Sequence, residues 1–445
     1  MSQRSAGTSP NRTRLGGAAA IITLIIIFLI IQLGGGDLLT DLGVITPTPT
    51  TLPTVTPQPP TAVPPTTAPP TAPPATTAPP TTDALTAVPP PQSDIPPTLS
   101  VTISPQVIHF ELGQGYGARK GFWEVLFTAP TGSRDPATYT GGVDEYIAGL
   151  IDGLTRTLDI AAYEFNSPAL TRAVLDAHER GVQVRIVTDD GAGLNPARST
   201  LPQLIDAGIP VVDDGRSALM HNKFMIMDGE RVLTGSMNFT VNGSYRNNNN
   251  VLILRSRAAV ENYQTEFDEM FVDRRFGPTS PVNTPRPQFV QDGIPIGIYF
   301  APEDDVLNAI FEVVGIAEQS IRFMAFSFTV TEIADLILER AAEGVTVHGI
   351  FERTGSQTQF SELTHLFCAG MAVRQDGNPF ALHHKLFIID DAIVVTGSFN
   401  FSANATRSND ENLVIIRDPD LAAQYIAEFD RRWAEALTPT AIVCE

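Results

Sequence analysis

Residues 221–228 read HNKFMIMD, and residues 383–390 read HHKLFIID, 162 positions later. The offset holds without a gap from 221 to 255, where 15 of 35 positions match 383–417. It carries His221, Lys223 and Asp228 onto His383, Lys385 and Asp390, and TGSMNF (234–239) onto TGSFNF (396–401). Upstream, AGIPVVDDG (207–215) meets AGMAVRQDG (369–377). Farther upstream the offset is 163, and LDIAAYEF (158–165) meets IRFMAFSF (321–328). The repeats run over roughly 124–273 and 296–436. A period this long, used twice, excludes a solenoid and predicts two like domains, packed most simply about a pseudo-twofold axis.

Each repeat carries the same alternation of patterns. A strand (158–165 or 321–328) leads to an amphipathic helix (168–180 or 331–343), and Gly181 or Gly344 follows as a helix stop. Further strands, the His-x-Lys strand and a closing helix complete the unit, and Asp228-Gly229 reads as a tight turn. Strands alternating with helices imply an α/β fold with a largely buried sheet. Residues 98–123 are expected to add a strand or two to the first repeat. GQGYG (113–117) departs from G-x-G-x-x-G and reads as loop. The boundaries are then 98–273 for the first unit, 274–295 for a linker, 296–436 for the second unit and 437–445 for a tail.

The N-terminal 97 residues are of another kind. Arg4, Arg12 and Arg14 precede an apolar run, so 1–14 reads as a cytoplasmic segment and 15–36 as a single transmembrane anchor. Cleavage of that run would instead secrete the chain. Residues 46–97 hold 19 of the 36 prolines and two charged residues, Asp83 and Asp94. They read as a disordered, extended stalk. Three arginines and four aspartates leave this part at −1, so of the total of −20 about −19 falls on the rest. That charge opposes non-specific binding to nucleic acid or to anionic membrane.

In a strand, alternate side chains share a face, so His221 and Lys223 point together. Taken alone, such a pair is commonly a solvated edge or a packed histidine. Its recurrence changes that reading. HxK-x4-D-x6-GSxN occurs twice in register, and with it the chain resembles the phospholipase D superfamily over about 124–436. The resemblance implies two mixed sheets flanked by helices, packed about a pseudo-twofold axis, with one shared active site in a monomer. It implies no cofactor and no metal, because the lysines supply the positive charge. The catalytic candidates are His221, Lys223, Asp228, Asn238, His383, Lys385, Asp390, Asn400 and Glu411. Ser236, Ser398 and Asn249 are candidates for contact with substrate.

The chemistry fits these residue types. Lys223, Lys385, Asn238 and Asn400 can stabilise a pentacovalent phosphorus. One neutral histidine attacks phosphorus and the other, protonated, donates to the leaving oxygen. Twenty-eight residues beyond each histidine stand Asn249 and Glu411. Within each repeat this pairs His383 with Glu411 as general acid and His221 with Asn249 as nucleophile. His384, turned away by alternation, reads as packing or surface. Tyr163, Glu164, Asp189 and Glu352 read as secondary to the site. Cys368 and Cys444 either pair or remain thiols. A phospholipid is the favoured substrate. Alternatives are a metal-independent endonuclease, a phosphatidyl transferase and an inert surface-binding module.

Overall fold

The computed structural model describes residues 106–440 and 442–444. The N-terminal segment, the apolar run 15–36 and the stalk 46–97 lie outside the described residues. No helix among the described residues is long and apolar enough to cross a membrane.

The first repeat contains β1 (Ile108–Leu112), β2 (Gly115–Lys120), β3 (Trp123–Thr128), α1 (Val143–Asp152), β4 (Thr157–Ala162), α2 (Pro168–Glu179), β5 (Gln183–Thr188), α3 (Leu201–Asp206), β6 (Val211–Asp213), β7 (Lys223–Met227), β8 (Arg231–Gly235), α4 (Val241–Tyr245), β9 (Asn247–Asn248), β10 (Asn250–Leu254) and α5 (Arg257–Phe271). The second contains β11 (Gln288–Gln291), β12 (Ile294–Ala301), α6 (Val306–Gly315), β13 (Ser320–Ala325), α7 (Thr331–Ala342), β14 (Thr346–Phe351), α8 (Leu363–Cys368), β15 (Ala372–Gln375), β16 (Ala381–Leu382), β17 (Lys385–Ile389), β18 (Ile393–Gly397), α9 (Ala403–Arg407), β19 (Glu411–Ile416) and α10 (Pro419–Glu435). The sheets run β1-β2-β3-β10-β8-β7-β4-β5-β6 and β11-β12-β19-β18-β17-β13-β14-β15. Both are mixed: β4 pairs parallel with β5 and antiparallel with β7, and β13 does the same with β14 and β17.

Apolar residues line both faces of the central strands, which are buried throughout. One core cluster joins the repeats, with Phe127, Phe224, Tyr263 and Phe267 from the first and Phe300, Tyr425 and Phe429 from the second. The closing helices α5 and α10 supply much of it. The outer faces pack separately against α1 and α2 and against α6 and α7. The β7–β8 connection is the three residues 228–230, with φ of 52° at Asp228 and 63° at Gly229, the left-handed pair that centres a type I′ turn.

Two expectations change. GQGYG is not loop throughout, because Gly115–Gly117 opens β2; a Cβ at Gly117 would lie 2.5 Å from the Phe110 ring of β1. The segment 274–295 is not simply a linker, since β11 lies in it and pairs with β12. Of the two readings of the cysteines the paired one holds: Cys444 forms a disulfide with Cys368, and Leu437 exchanges backbone hydrogen bonds with Gln375, so the tail is tied down.

Candidate active site

The His-x-Lys segments enter β7 and β17 beside the join between repeats. β9 pairs with β16 across that join, and Met220 bridges Asp410. Two equivalent backbone bonds follow: His221 N–H donates to Asp410 O and His383 N–H to Asn248 O, each at 2.9 Å. Each histidine therefore lies next to the residue that follows the other repeat's bridge. His221 Nδ1 is 2.8 Å from Glu411 Oε2, and His383 Nδ1 is 2.9 Å from Asn249 Oδ1. The partners cross between repeats. This corrects the pairing within each repeat expected from the 28-residue spacing. Sequence distance hid the cross-repeat bridge of β9 and β16, only two residues each.

The Asn249 amide is oriented by its other bonds. Its Nδ2 donates to Gly243 O at 2.9 Å, and its Oδ1 accepts from Ser236 Oγ at 2.8 Å. Oδ1 is then the acceptor for His383, whose Nδ1 carries the proton. Glu411 Oε2 likewise accepts from Ser398 Oγ at 2.7 Å. Ser236, Ser398 and Asn249 are fully buried, and the hydrogen bonds of the two serines hold the histidine partners in place. The glycine before each serine has a structural reason. Gly235 and Gly397 have φ of 140° and 143°, and a Cβ would lie 2.4 and 2.3 Å from the Asn250 and Asn412 carbonyl oxygens.

The cations are equally constrained. Lys223 Nζ donates to His221 O at 2.6 Å, and Lys385 Nζ to His383 O at 2.8 Å. The lysines stand over the rings of Tyr163 and Phe326, which also lie edge-on to His221 and His383. Tyr163, read from the sequence as secondary to the site, and Phe326 occupy matching positions in 158–165 and 321–328. Burial, reinforced by both lysines, holds His221 and His383 well below the usual histidine range. Burial also pushes Lys223 down to about 7 and Lys385 well below the lysine range. It pushes Glu411 up to about 8, opposed by Lys223 and Ser398. Clustered cations of this kind destabilise one another, and an anion placed among them relieves all four groups.

Asn238 donates Nδ2 to Glu164 Oε2 at 3.3 Å, and the Oδ1 atoms of Asn238 and Asn400 are buried without partners. Asp189 and Glu352 are buried in loops: Asp189 accepts from Ala192 N and Glu352 from Gly355 N. His384 is fully buried, not on the surface, between Asn250 Nδ2 and Glu428 Oε1 at 3.1 Å each.

Asp228 and Asp390 do not reach the site. Each lies five residues beyond its lysine, at the far end of a strand that rises about 3.4 Å per residue. Asp228 accepts from the backbone N–H groups of Thr155, Arg156 and Thr157, and Asp390 from those of Glu318, Gln319 and Ser320. Those bonds hold both carboxyls below the usual carboxylate range. Their catalytic assignment is therefore corrected to a structural one. Asp228→Ala should lower unfolding free energy by about 1–2 kcal/mol and leave kcat within about twofold. Chemical denaturation and steady-state assay check this, and a hundredfold loss of kcat in the folded variant would return Asp228 to the chemistry.

A family model described as "Cardiolipin synthase, PLD-like domain" matches residues 147–271 and 310–433. The mitochondrial cardiolipin hydrolase of Xenopus tropicalis is 36% identical over 171 residues, covering 34% of this chain and 78% of that protein. A phospholipase D of Rickettsia conorii is 35% identical over 135 residues, covering 30% and 68%. Other cardiolipin hydrolases are matched over 47–57% of their length. The solved phosphatidylserine synthase of Haemophilus influenzae shares the fold, with a TM-score of 0.51 and 13% identity over 66% of this chain and 84% of that one. With the family model covering more than half of the sequence as two matched repeats around one paired motif, the chain belongs to the phospholipase D superfamily.

Proposed function

We propose that this phospholipase D-type phosphodiesterase hydrolyses phospholipid head-group esters through a phosphohistidine on His221. The observation that carries the reading is the crossed pair of partners, a carboxylate behind His221 and a neutral amide behind His383. In the first step the phosphate oxygens lie among Lys223, Lys385, Asn238 and Asn400. His221 Nε2 attacks phosphorus, an N–P bond forms, and the P–O bond to the head group breaks. His383, protonated, gives its Nε2 proton to the departing alcohol oxygen. In the second step neutral His383 takes a proton from water as the water oxygen attacks phosphorus. The N–P bond breaks and phosphatidate leaves.

The roles of the two histidines stay as the sequence suggested, but the reason changes. Phosphorylation makes the His221 ring cationic, which favours the ionised form of Glu411 at 2.8 Å, and that carboxylate offsets the charge. His383 must surrender a proton, which a neutral amide partner resists less than a carboxylate would. The similarity to proteins named cardiolipin hydrolase and phospholipase D supports lipid as substrate. The apolar run 15–36 would hold the enzyme at a membrane with its catalytic part outside.

The purified protein, given phosphatidylcholine and cardiolipin vesicles and separately plasmid DNA, should release head group and phosphatidate. Plasmid cleavage with intact lipid would overturn the substrate class. The crossed partnership has its own test. Asn249→Asp places a carboxylate behind His383 and favours its charged form, so the His383 pKa should rise by about 1–2 units while that of His221 stays put. Histidine ring-proton NMR titration reads both, and a rise at His221 instead would restore pairing within the repeat.

A further inference from the structure

One connection is far longer in the first repeat than in the second. Residues 302–305 join β12 to α6, whereas residues 129–142 join β3 to α1. The extra length packs across the join onto the other repeat. A Cβ at Gly132 would lie 3.5 Å from Pro379 Cγ, and the Arg134 guanidinium carbon stands 5.4 Å from the centroid of the Phe380 ring. Arg246, which ends α4, stands 5.2 Å from the same centroid and 5.5 Å from that of Tyr139. Among the described residues no other ring has two cations over it. The connection is fixed by its own bonds. Tyr139 OH donates to Ser133 O at 2.9 Å and accepts from Arg246 Nε at 2.8 Å, and its ring stacks on Tyr245 at 5.1 Å.

Neither arginine has an anionic partner. Among the described residues neither forms an ion pair, and the bond from Arg246 Nε to Tyr139 is the only hydrogen bond of either guanidinium. The terminal amines of both are left over. The 162-residue offset carries Phe380 onto Ala218 and Arg246 onto Ser408, so the first repeat's side of the site has no such pair. The pair belongs to the side of His383. Phe380 leads through β16 to His383, three residues on and about 10 Å along a strand. Arg246 leads through β9 to Asn249, the partner of His383. Parallel pairing of β9 with β16 keeps the two lines abreast.

We propose that Arg134 and Arg246 form a subsite for a second phosphate, carried by the departing head group. The inference rests on the reading above, in which His383 gives its proton to the leaving oxygen and so faces the head group. A guanidinium stacked on an aromatic ring keeps its N–H edge free, and that fork matches the oxygens of a phosphate. The chain carries −20 overall, which repels a doubly charged substrate, and two uncompensated guanidiniums offset that repulsion locally. The substrate class is then a phospholipid whose leaving alcohol bears a phosphate, either glycerol with a phosphodiester or inositol with a phosphomonoester. The subsite selects the head group and takes no part in bond breaking.

Two lipid pairs, each dilute in neutral detergent micelles, test this on the full chain: phosphatidylglycerol against cardiolipin, and phosphatidylinositol against phosphatidylinositol 4-phosphate. Wild-type kcat/KM should favour the member with the extra phosphate by about tenfold in at least one pair. Preference in the first pair assigns a phosphodiester, and in the second a phosphomonoester. Arg134→Gln and Arg246→Gln should each lower that ratio at least about threefold, mostly through KM. Arg172→Gln, an exposed control on α2, should keep it. Arg134 is exposed, so its variant decides the matter if Arg246→Gln fails to fold. Equal values within both pairs, a ratio unmoved by the glutamine variants, or an equal fall on both members of a pair would overturn the subsite. Calorimetric titration with 1,3-propanediol bisphosphate against propyl phosphate separates this from the lipid reading. If no lipid is hydrolysed, yet the bisphosphate binds tighter and Arg134→Gln removes the difference, the subsite stands and the lipid reading falls. Equal binding beside lipid hydrolysis removes the subsite and leaves the hydrolase.

Discussion

Replacing His221 by alanine is expected to lower kcat/KM by at least about 10⁴-fold, on the order of 5 kcal/mol of transition-state stabilisation. The variant loses the atom that bonds phosphorus, and no neighbouring group can take its place: Lys223 is committed to the His221 carbonyl, and Glu411 is fully buried. His383→Ala should behave differently, and the difference depends on the leaving group. With a phospholipid, the departing alkoxide needs a proton and the loss should be of similar size. With a p-nitrophenyl phosphodiester the leaving group departs unaided, so a burst of one nitrophenolate per chain should remain. Turnover should then stall, because His383 is also the base that activates water. A burst in His221→Ala and none in His383→Ala would exchange their roles.

Lys223→Met is the second large effect. It keeps the length of the side chain and removes the charge, so kcat/KM should fall about 10³-fold, on the order of 4 kcal/mol. Stability should move the other way. Burial pushes the Lys223 pKa down to about 7 in the folded state, from the ordinary lysine value near 10.5. Between these values the unfolded chain binds more protons, so this lysine destabilises the fold most at pH 7 and below, and the penalty disappears as pH rises toward about 10.5. Methionine removes that penalty, offset in part by the lost hydrogen bond to His221 O. Lys223→Met should therefore have the higher Tm at pH 7 and lose its advantage by pH 10. A lower Tm at pH 7 together with unchanged kcat would mean that Lys223 serves packing and not phosphate.

Much of this was legible in the chain itself. Two HxK-x4-D-x6-GSxN motifs in register imply a shared site, and the Asp228-Gly229 turn follows from residue type. Alternation turned His384 away from His383, and of packing or surface the structure shows packing, in a buried network with Asn250 and Glu428. The five-residue interval from Lys223 to Asp228 already separated that carboxylate from the site, since a strand carries its residues apart at about 3.4 Å each. What stayed hidden were contacts that one dimension does not encode. Glu411 and His383 lie 28 residues apart, yet the single-residue bridge of Met220 with Asp410 gives Glu411 to His221 instead, as the two-residue pairing of β9 with β16 gives Asn249 to His383. No hydrophobic period marks so short a bridge. Ser236 and Ser398 look like substrate donors by type, but tight approach at Gly235 and Gly397 turns them inward toward Asn249 and Glu411.

That His221, backed by Glu411, is the nucleophile is the central claim, and the covalent intermediate tests it most directly. His383→Ala protein quenched in alkali shortly after mixing with a p-nitrophenyl phosphodiester, then digested and mapped by mass spectrometry, should carry its phosphoryl adduct on His221. The same experiment on wild-type protein with phosphatidylcholine should place the transient adduct on the same residue. An adduct on His383 in the wild type, or none on His221 in either protein, would contradict the account.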